Sequence, residues 1–230
     1  MAPSIDGAVH TFAEHGLYDG LFLLRDEETG TYWDHLTGEA VYGPRVGTVL
    51  EIESLLHSRV DQVLANHPDA LIALSDRSLR TDQDMAPVGL LAGLGMKLSK
   101  MFRSTVDEED ARLPTGDIGL GLWQGEAARY YSYVRVLEED KAVLDTFQGR
   151  QMLVYLDPSS YVLSSFQVDA DRLWWDGDVL RLSNNQYVEG SILYEPDGTR
   201  ADAARPLQVF TRWYGFALTF PGAGIYGEKK

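Results

Sequence analysis

Residues 26–40 read Asp26-Glu27-Glu28-Thr29-Gly30-Thr31-Tyr32-Trp33-Asp34-His35-Leu36-Thr37-Gly38-Glu39-Ala40, and turn residues punctuate the stretch twice. Glu27 to Gly30 is a hairpin turn, because glycine accepts the positive φ that many tight turns demand. Thr31-Tyr32-Trp33 follows with the β-branched and aromatic character of a strand. Thr37-Gly38 marks a second turn, and Ala40-Val41-Tyr42 a further strand before Gly43-Pro44. Strands separated by such short turns predict antiparallel neighbours, and this sets the fold class as β-rich.

Working outward, Val9 to Phe12 and Leu17 to Arg25 read as strands, with Gly16 and Gly20 as bends, and Val49 to Ile52 as another. Ser54 is a candidate helix N-cap. Leu56, Val60, Val63 and Leu64 then share one face at helical spacing until Asn66 and Pro68 end the run. Ala70 to Leu74 reads as a buried strand. Residues 75–115 differ, mixing charge, a glycine-rich apolar stretch and the acidic run Asp107 to Asp110. They predict a mobile or partly helical insertion, with Leu90, Leu94, Leu98 and Met101 able to line one helical face. Beyond it, Ile118 to Trp123, Met152 to Leu156, Tyr161 to Gln167, Arg172 to Trp175 and Val179 to Leu182 are strand candidates. Asp176-Gly177 is a hairpin signal. Pro206 to Thr219 reads as a helix with proline in its first turn and Leu207, Phe210, Tyr214 and Leu218 as its apolar stripe.

The halves echo one another. Gly38 to Pro44 resembles Gly190 to Pro196, and His67-Pro68-Asp69-Ala70 resembles Phe220-Pro221-Gly222-Ala223. The predicted architecture is therefore α+β and β-rich, with two related halves, each of short antiparallel strands and one main helix. Residues 1–74 and 116–230 form the halves, 75–115 the insertion, and the whole packs as one compact domain.

The composition bounds function. A formal net charge of −15 repels phosphate backbones and anionic membrane surfaces, which sets nucleic acid aside as a partner. The chain holds no cysteine, which removes disulfides, thiolate nucleophiles and Cys-type zinc or iron–sulfur sites. No apolar run approaches the roughly 20 residues of a membrane helix. Met1 to Gly7 does not read as a signal peptide, so a soluble, cytoplasmic protein is expected.

The stretch from Asp26 to Ala40 resembles the bacterial and archaeal family catalogued as domain of unknown function 3179, through its Asp-x-x-Thr-Gly-x-x-Trp and Leu-Thr-Gly-x-Ala patterns. Gly43-Pro44, Gly125-Glu126-Ala127 with Tyr130, and Trp213-Tyr214-Gly215-Phe216 with Phe220-Pro221 extend the resemblance over most of the chain. The resemblance implies no particular activity. It does imply a Cys-Pro-x-Cys-like segment upstream of the Thr-Gly-x-x-Trp motif, in some members with selenocysteine. That segment is absent here, which raises the expectation that Met1 is an internal methionine of a longer thiol or selenol oxidoreductase.

Among side chains that carry chemistry, Trp33, Asp34, His35, Thr37 and Glu39 are the ligand-binding candidates, and His10, His15 and His35 the candidate metal ligands. Two histidines and a carboxylate can hold a divalent cation, although the spacing here matches no compact motif. For each residue the plainer reading is structural: Trp33 in the core, Asp34 and Thr37 bonded to their own turn. Trp174-Trp175 should point to opposite faces of a strand, one ring buried and the other partly exposed. No cofactor follows from these residues. The leading function is small-ligand or partner binding, and the alternative is a redox or metal-dependent enzyme.

Overall fold

The computed structural model describes residues 4–18, 21–72, 106 and 109–228. The protein is a β-rich α+β fold. Seventeen strands in five sheets surround three short helices among the described residues. A small hairpin, β1 (Ser4–Ile5) with β2 (Ala8–Val9), precedes a four-stranded antiparallel meander of β3 (Phe12–Tyr18), β4 (Leu21–Asp26), β5 (Tyr32–Asp34) and β6 (Ala40–Tyr42). Gly38, at φ 73°, makes the last turn of that meander. Its missing side chain matters too, because a Cβ there would stand 2.8 Å from Ile52 Cγ2.

Helix α1 (Val60–Asn66) leads toward the second half. There β7 (Ile118–Gln124) and β8 (Ala127–Ser132) pair antiparallel, and helix α2 (Tyr133–Glu138) follows. Strands β9 (Ala142–Phe147), β10 (Arg150–Leu156) and β11 (Leu163–Gln167) form a three-stranded sheet. A second meander comprises β12 (Leu173–Asp176), β13 (Val179–Leu182), β14 (Tyr187–Glu189) and β15 (Ile192–Tyr194). The chain then returns to the β7–β8 sheet as β16 (Leu207–Arg212), turns into helix α3 (Trp213–Thr219), and closes with β17 (Gly224–Ile225) parallel to β8.

Packing explains this order. Leu120, Leu122, Tyr131, Val136 and Val154 gather between β7–β8, α2 and the three-stranded sheet. Leu153, Tyr155, Leu180, Leu182 and Val188 fill the space under the second meander. Trp213 and Phe216 of α3 pack on Trp123, Tyr130 and Val209. Trp33 anchors a smaller cluster with Ile5, Ala40 and Leu50. Trp174 and Trp175 alternate as expected: Trp174 is exposed, while Trp175 packs on the second meander's core and donates its N–H to Asp140 O.

Several expectations need correction. Leu207 to Arg212 is not helix but strand β16, paired with β7 from Leu207↔Trp123 to Arg212↔Ile118. Leu207 and Val209 face α3, whereas Gln208 bonds Ser165 and Phe210 packs on the opposite cluster. The apolar residues suited both periods, and the open edge of β7 selected the strand. Helix α1 begins after Arg59, not at Ser54, whose hydroxyl donates to Pro206 O instead of capping. Val49 to Ile52 makes a single bridge, Glu39↔Val49, rather than a strand, and Ala70 to Ile72 is not strand. The stripe of Leu90, Leu94, Leu98 and Met101 lies outside the described residues. Helices α1 and α3 end alike: His67 N–H donates to Val63 O at 2.7 Å, Phe220 N–H to Phe216 O at 2.9 Å, and a proline follows each.

Candidate functional site

Asp26 is fully buried and organises the hairpin that opens the most specific stretch of sequence. Its carboxylate accepts the Thr29 N–H at 2.6 Å, the Thr29 hydroxyl at 2.7 Å and the Trp33 indole N–H at 2.8 Å. His10 Nδ1 lies 3.4 Å from its Oδ1. Burial alone would push the Asp26 carboxyl up. The bonds from Trp33, Thr29 and His10 outweigh that and hold it at about 2. A depressed folded pKa stabilises the protein above the unfolded value and loses that stabilisation as pH falls through the folded one. Urea unfolding at pH 6 and near pH 2 should therefore differ by a component of about 2 kcal/mol that Asp26→Asn removes. An unchanged pH profile in Asp26→Asn would refute it.

Glu28 reaches back to accept the Thr11 N–H at 2.9 Å. His10, Asp26 and Glu28 each place one donor atom within 4.8 Å of the others, a grouping that could hold a cation. Those carboxylate oxygens already accept hydrogen bonds that close the hairpin, so the set has a structural explanation. The triad of His10, His15 and His35 does not assemble as a metal group among the described residues. His15 meets Tyr32 edge-on at 5.1 Å, and His35 Nδ1 lies 2.9 Å from Phe22 O.

The ligand-binding candidates are placed along one strand and turn. Trp33 is wholly enclosed, with its N–H given to Asp26. Asp34 Oδ1 accepts the N–H groups of Leu36 at 2.7 Å and Thr37 at 2.9 Å, and Thr37 Oγ1 accepts that of Glu39. Glu39 bridges to Val49. These bonds shape the turn, and none of the five residues lines the cavity described next.

That cavity, of about 410 Å³, lies between the α1 segment, β11, the β14–β15 turn and the chain entering β16. Local structure builds it. Gly190-Ser191 joins β14 to β15 as a two-residue turn with both φ positive, at 57° and 68°, a conformation suited to hairpins and rare for serine. The turn aims Ser191 O at Arg205, whose Nη2 donates to it at 2.8 Å. Arg205 Nη1 donates to Ser164 Oγ at 2.8 Å and Ser165 O at 3.0 Å. The guanidinium carbon sits 3.7 Å from the centre of the Phe166 ring. Stacking and three acceptors fix the group before any ligand arrives.

Four basic side chains line this space, Arg200, Arg205, His57 and His67, and no carboxylate does. In a chain with 35 acidic and 20 basic residues, that is a local reversal of sign. Among the described residues neither arginine is ion-paired. Burial pulls the Arg205 pKa down, opposed by Tyr155 and Asp157, and half-burial pulls that of His57 down. Asp157 is engaged elsewhere: it accepts the Ser159 and Ser160 N–H groups, Gln62 Nε2 at 2.8 Å and the Ser191 hydroxyl. Behind the wall, the buried Tyr155 hydroxyl sits beside Ser164 and Arg205. Sequence reasoning missed this site. The turn pair Gly190-Ser191 and the arginine in Ala203-Ala204-Arg205-Pro206 were the available signals.

Fold and site define a β-rich α+β protein with a preformed cavity whose wall combines basic and apolar side chains. No helix among the described residues is long and apolar enough to cross a membrane. The chain belongs to the family described as protein of unknown function (DUF3179), whose sequence profile matches residues 2–211. Neither the curated proteins nor the solved structures provide a match.

Proposed function

We propose that this protein binds a small organic molecule in the cavity between α1 and the β11–β15 region. The observation that supports the reading is the cavity's make-up. Its volume falls in the range of small-molecule sites, and its wall combines apolar Phe166, Val63 and Leu193 with a few fixed polar groups. A ligand that binds only the folded state raises Tm, by an amount that grows with the logarithm of its concentration above Kd. Thermal unfolding against a panel of small acids, bases and neutral aromatics should therefore pick out compounds that raise Tm by a few degrees. Ala203→Leu, which adds apolar bulk at a half-buried wall position, should abolish that rise with little change in the unliganded Tm. A rise that survives in Ala203→Leu would place the binding elsewhere, and a panel without any hit would count against the reading.

A further inference from the structure

We infer, building on the cavity as the ligand site, that its occupant is a small organic monocarboxylate, anchored by Arg205 and packed along Val63 and Leu193. The argument begins with donor supply. A guanidinium has five N–H groups, and Ser164 Oγ, Ser165 O and Ser191 O account for three of those on Arg205. The remaining two, one on Nε and one on Nη2, make none of the geometric hydrogen bonds among the described residues, and the Tyr155 hydroxyl stands close enough to interact with the group. Two adjacent N–H donors in one plane are the complement of a carboxylate's two oxygens.

Charge points the same way. A half-buried arginine without a carboxylate beside it is costly to desolvate, and an incoming carboxylate supplies the missing counter-charge. Asp157 influences Arg205 from beyond Ser191 and offsets part of its charge. That favours a monoanion over a phosphate dianion. Arg200, exposed and with its side chain bonded among the described residues to Asn66 O at 2.7 Å, adds positive potential at the cavity. Val63 and Leu193 in the same wall take up a hydrocarbon body, which a bare inorganic anion lacks.

The test is a nitrogen-15 amide shift titration of the full chain with three probes of one shape: phenylacetate, 2-phenylethanol and phenyl phosphate. Phenylacetate is expected to bind at least roughly tenfold tighter than 2-phenylethanol, shifting the Ser164, Ser191 and Leu193 amides. Arg205→Gln should erase that preference, and Arg205→Lys, which keeps the charge but loses the planar fork, should retain only part of it. The acid-to-alcohol ratio is read on the unsubstituted protein, so it decides even if an Arg205 variant does not fold. Equal binding of acid and alcohol at these amides overturns the carboxylate anchor while leaving the cavity a ligand site. Tighter binding of phenyl phosphate overturns the choice of carboxylate. No shift with any probe up to about 10 mM overturns the anchor, and the ligand-site reading fails separately if the thermal panel is also silent.

Discussion

Gly121→Val is expected to unfold the second half of the protein. Gly121 lies in β7, paired with Val209 on one side and Tyr130 on the other, and the ring of Phe216 rests directly on its Cα. A Cβ at this position would fall inside that ring's contact distance, with Phe216 Cζ only 2.7 Å away. The ring has no room to retreat. It also packs on Tyr130 at 5.6 Å and Phe220 at 4.9 Å, and the Trp213 N–H ties the start of α3 to Asp117 O at 2.8 Å. Overpacking a rigid core typically costs about 1–3 kcal/mol and sometimes more, and here the Cβ meets the ring directly and two further methyl groups follow it. Loss of the cooperative urea transition is the expected result, with Gly121→Ala milder. Phe216→Leu should restore part of the stability, since a smaller side chain frees the space the Cβ needs. A Gly121→Val protein that melts with the parent would show that α3 does not sit on β7.

Asp26→Ala is expected to cost about 2–4 kcal/mol, most of it from groups left behind and not from bonds lost. The Trp33 indole N–H and the Thr29 amide would be stranded beside a fully buried position. Asp26→Asn should cost less, because an amide oxygen still accepts one of these donors. Trp33 offers the readout: its fluorescence should shift to the red in Asp26→Ala as the hairpin opens and water enters. Unchanged emission together with full stability would mean that the motif serves something other than the hairpin.

This division of labour explains what was legible in the sequence. The Asp26 to Ala40 stretch could be read because its contacts are local: Asp26 to Thr29 and Trp33, Asp34 to Leu36 and Thr37. Turn chemistry is written in neighbouring residues, and the strands on either side followed from it. The same locality made the plainer reading of Asp34 and Thr37 legible, and both bond the backbone of their own turn. Leu207 to Phe210 could not be assigned from pattern alone, because its apolar residues satisfy two periods and the partner strand β7 is distant in sequence. Ser54 had the look of a cap but spends its hydroxyl on Pro206. The cavity was illegible for a related reason. Its members come from separate segments between Leu56 and Arg205, and each is ordinary in its own neighbourhood.

The bonds that hold α1 have a consequence for synthesis. Gln62 pairs with Asp157 and Ser191, and Asn66 with Gly190, partners 95, 129 and 124 residues further along the chain. At about 5–20 residues per second, translation leaves α1 waiting roughly 5–25 s for the surfaces it docks on. During that interval Leu56 and Val63 have no cavity wall to meet. The nascent first half is thus a client for whatever shields apolar chain at the ribosome, and slowing translation beyond Asn66 should lengthen its exposure.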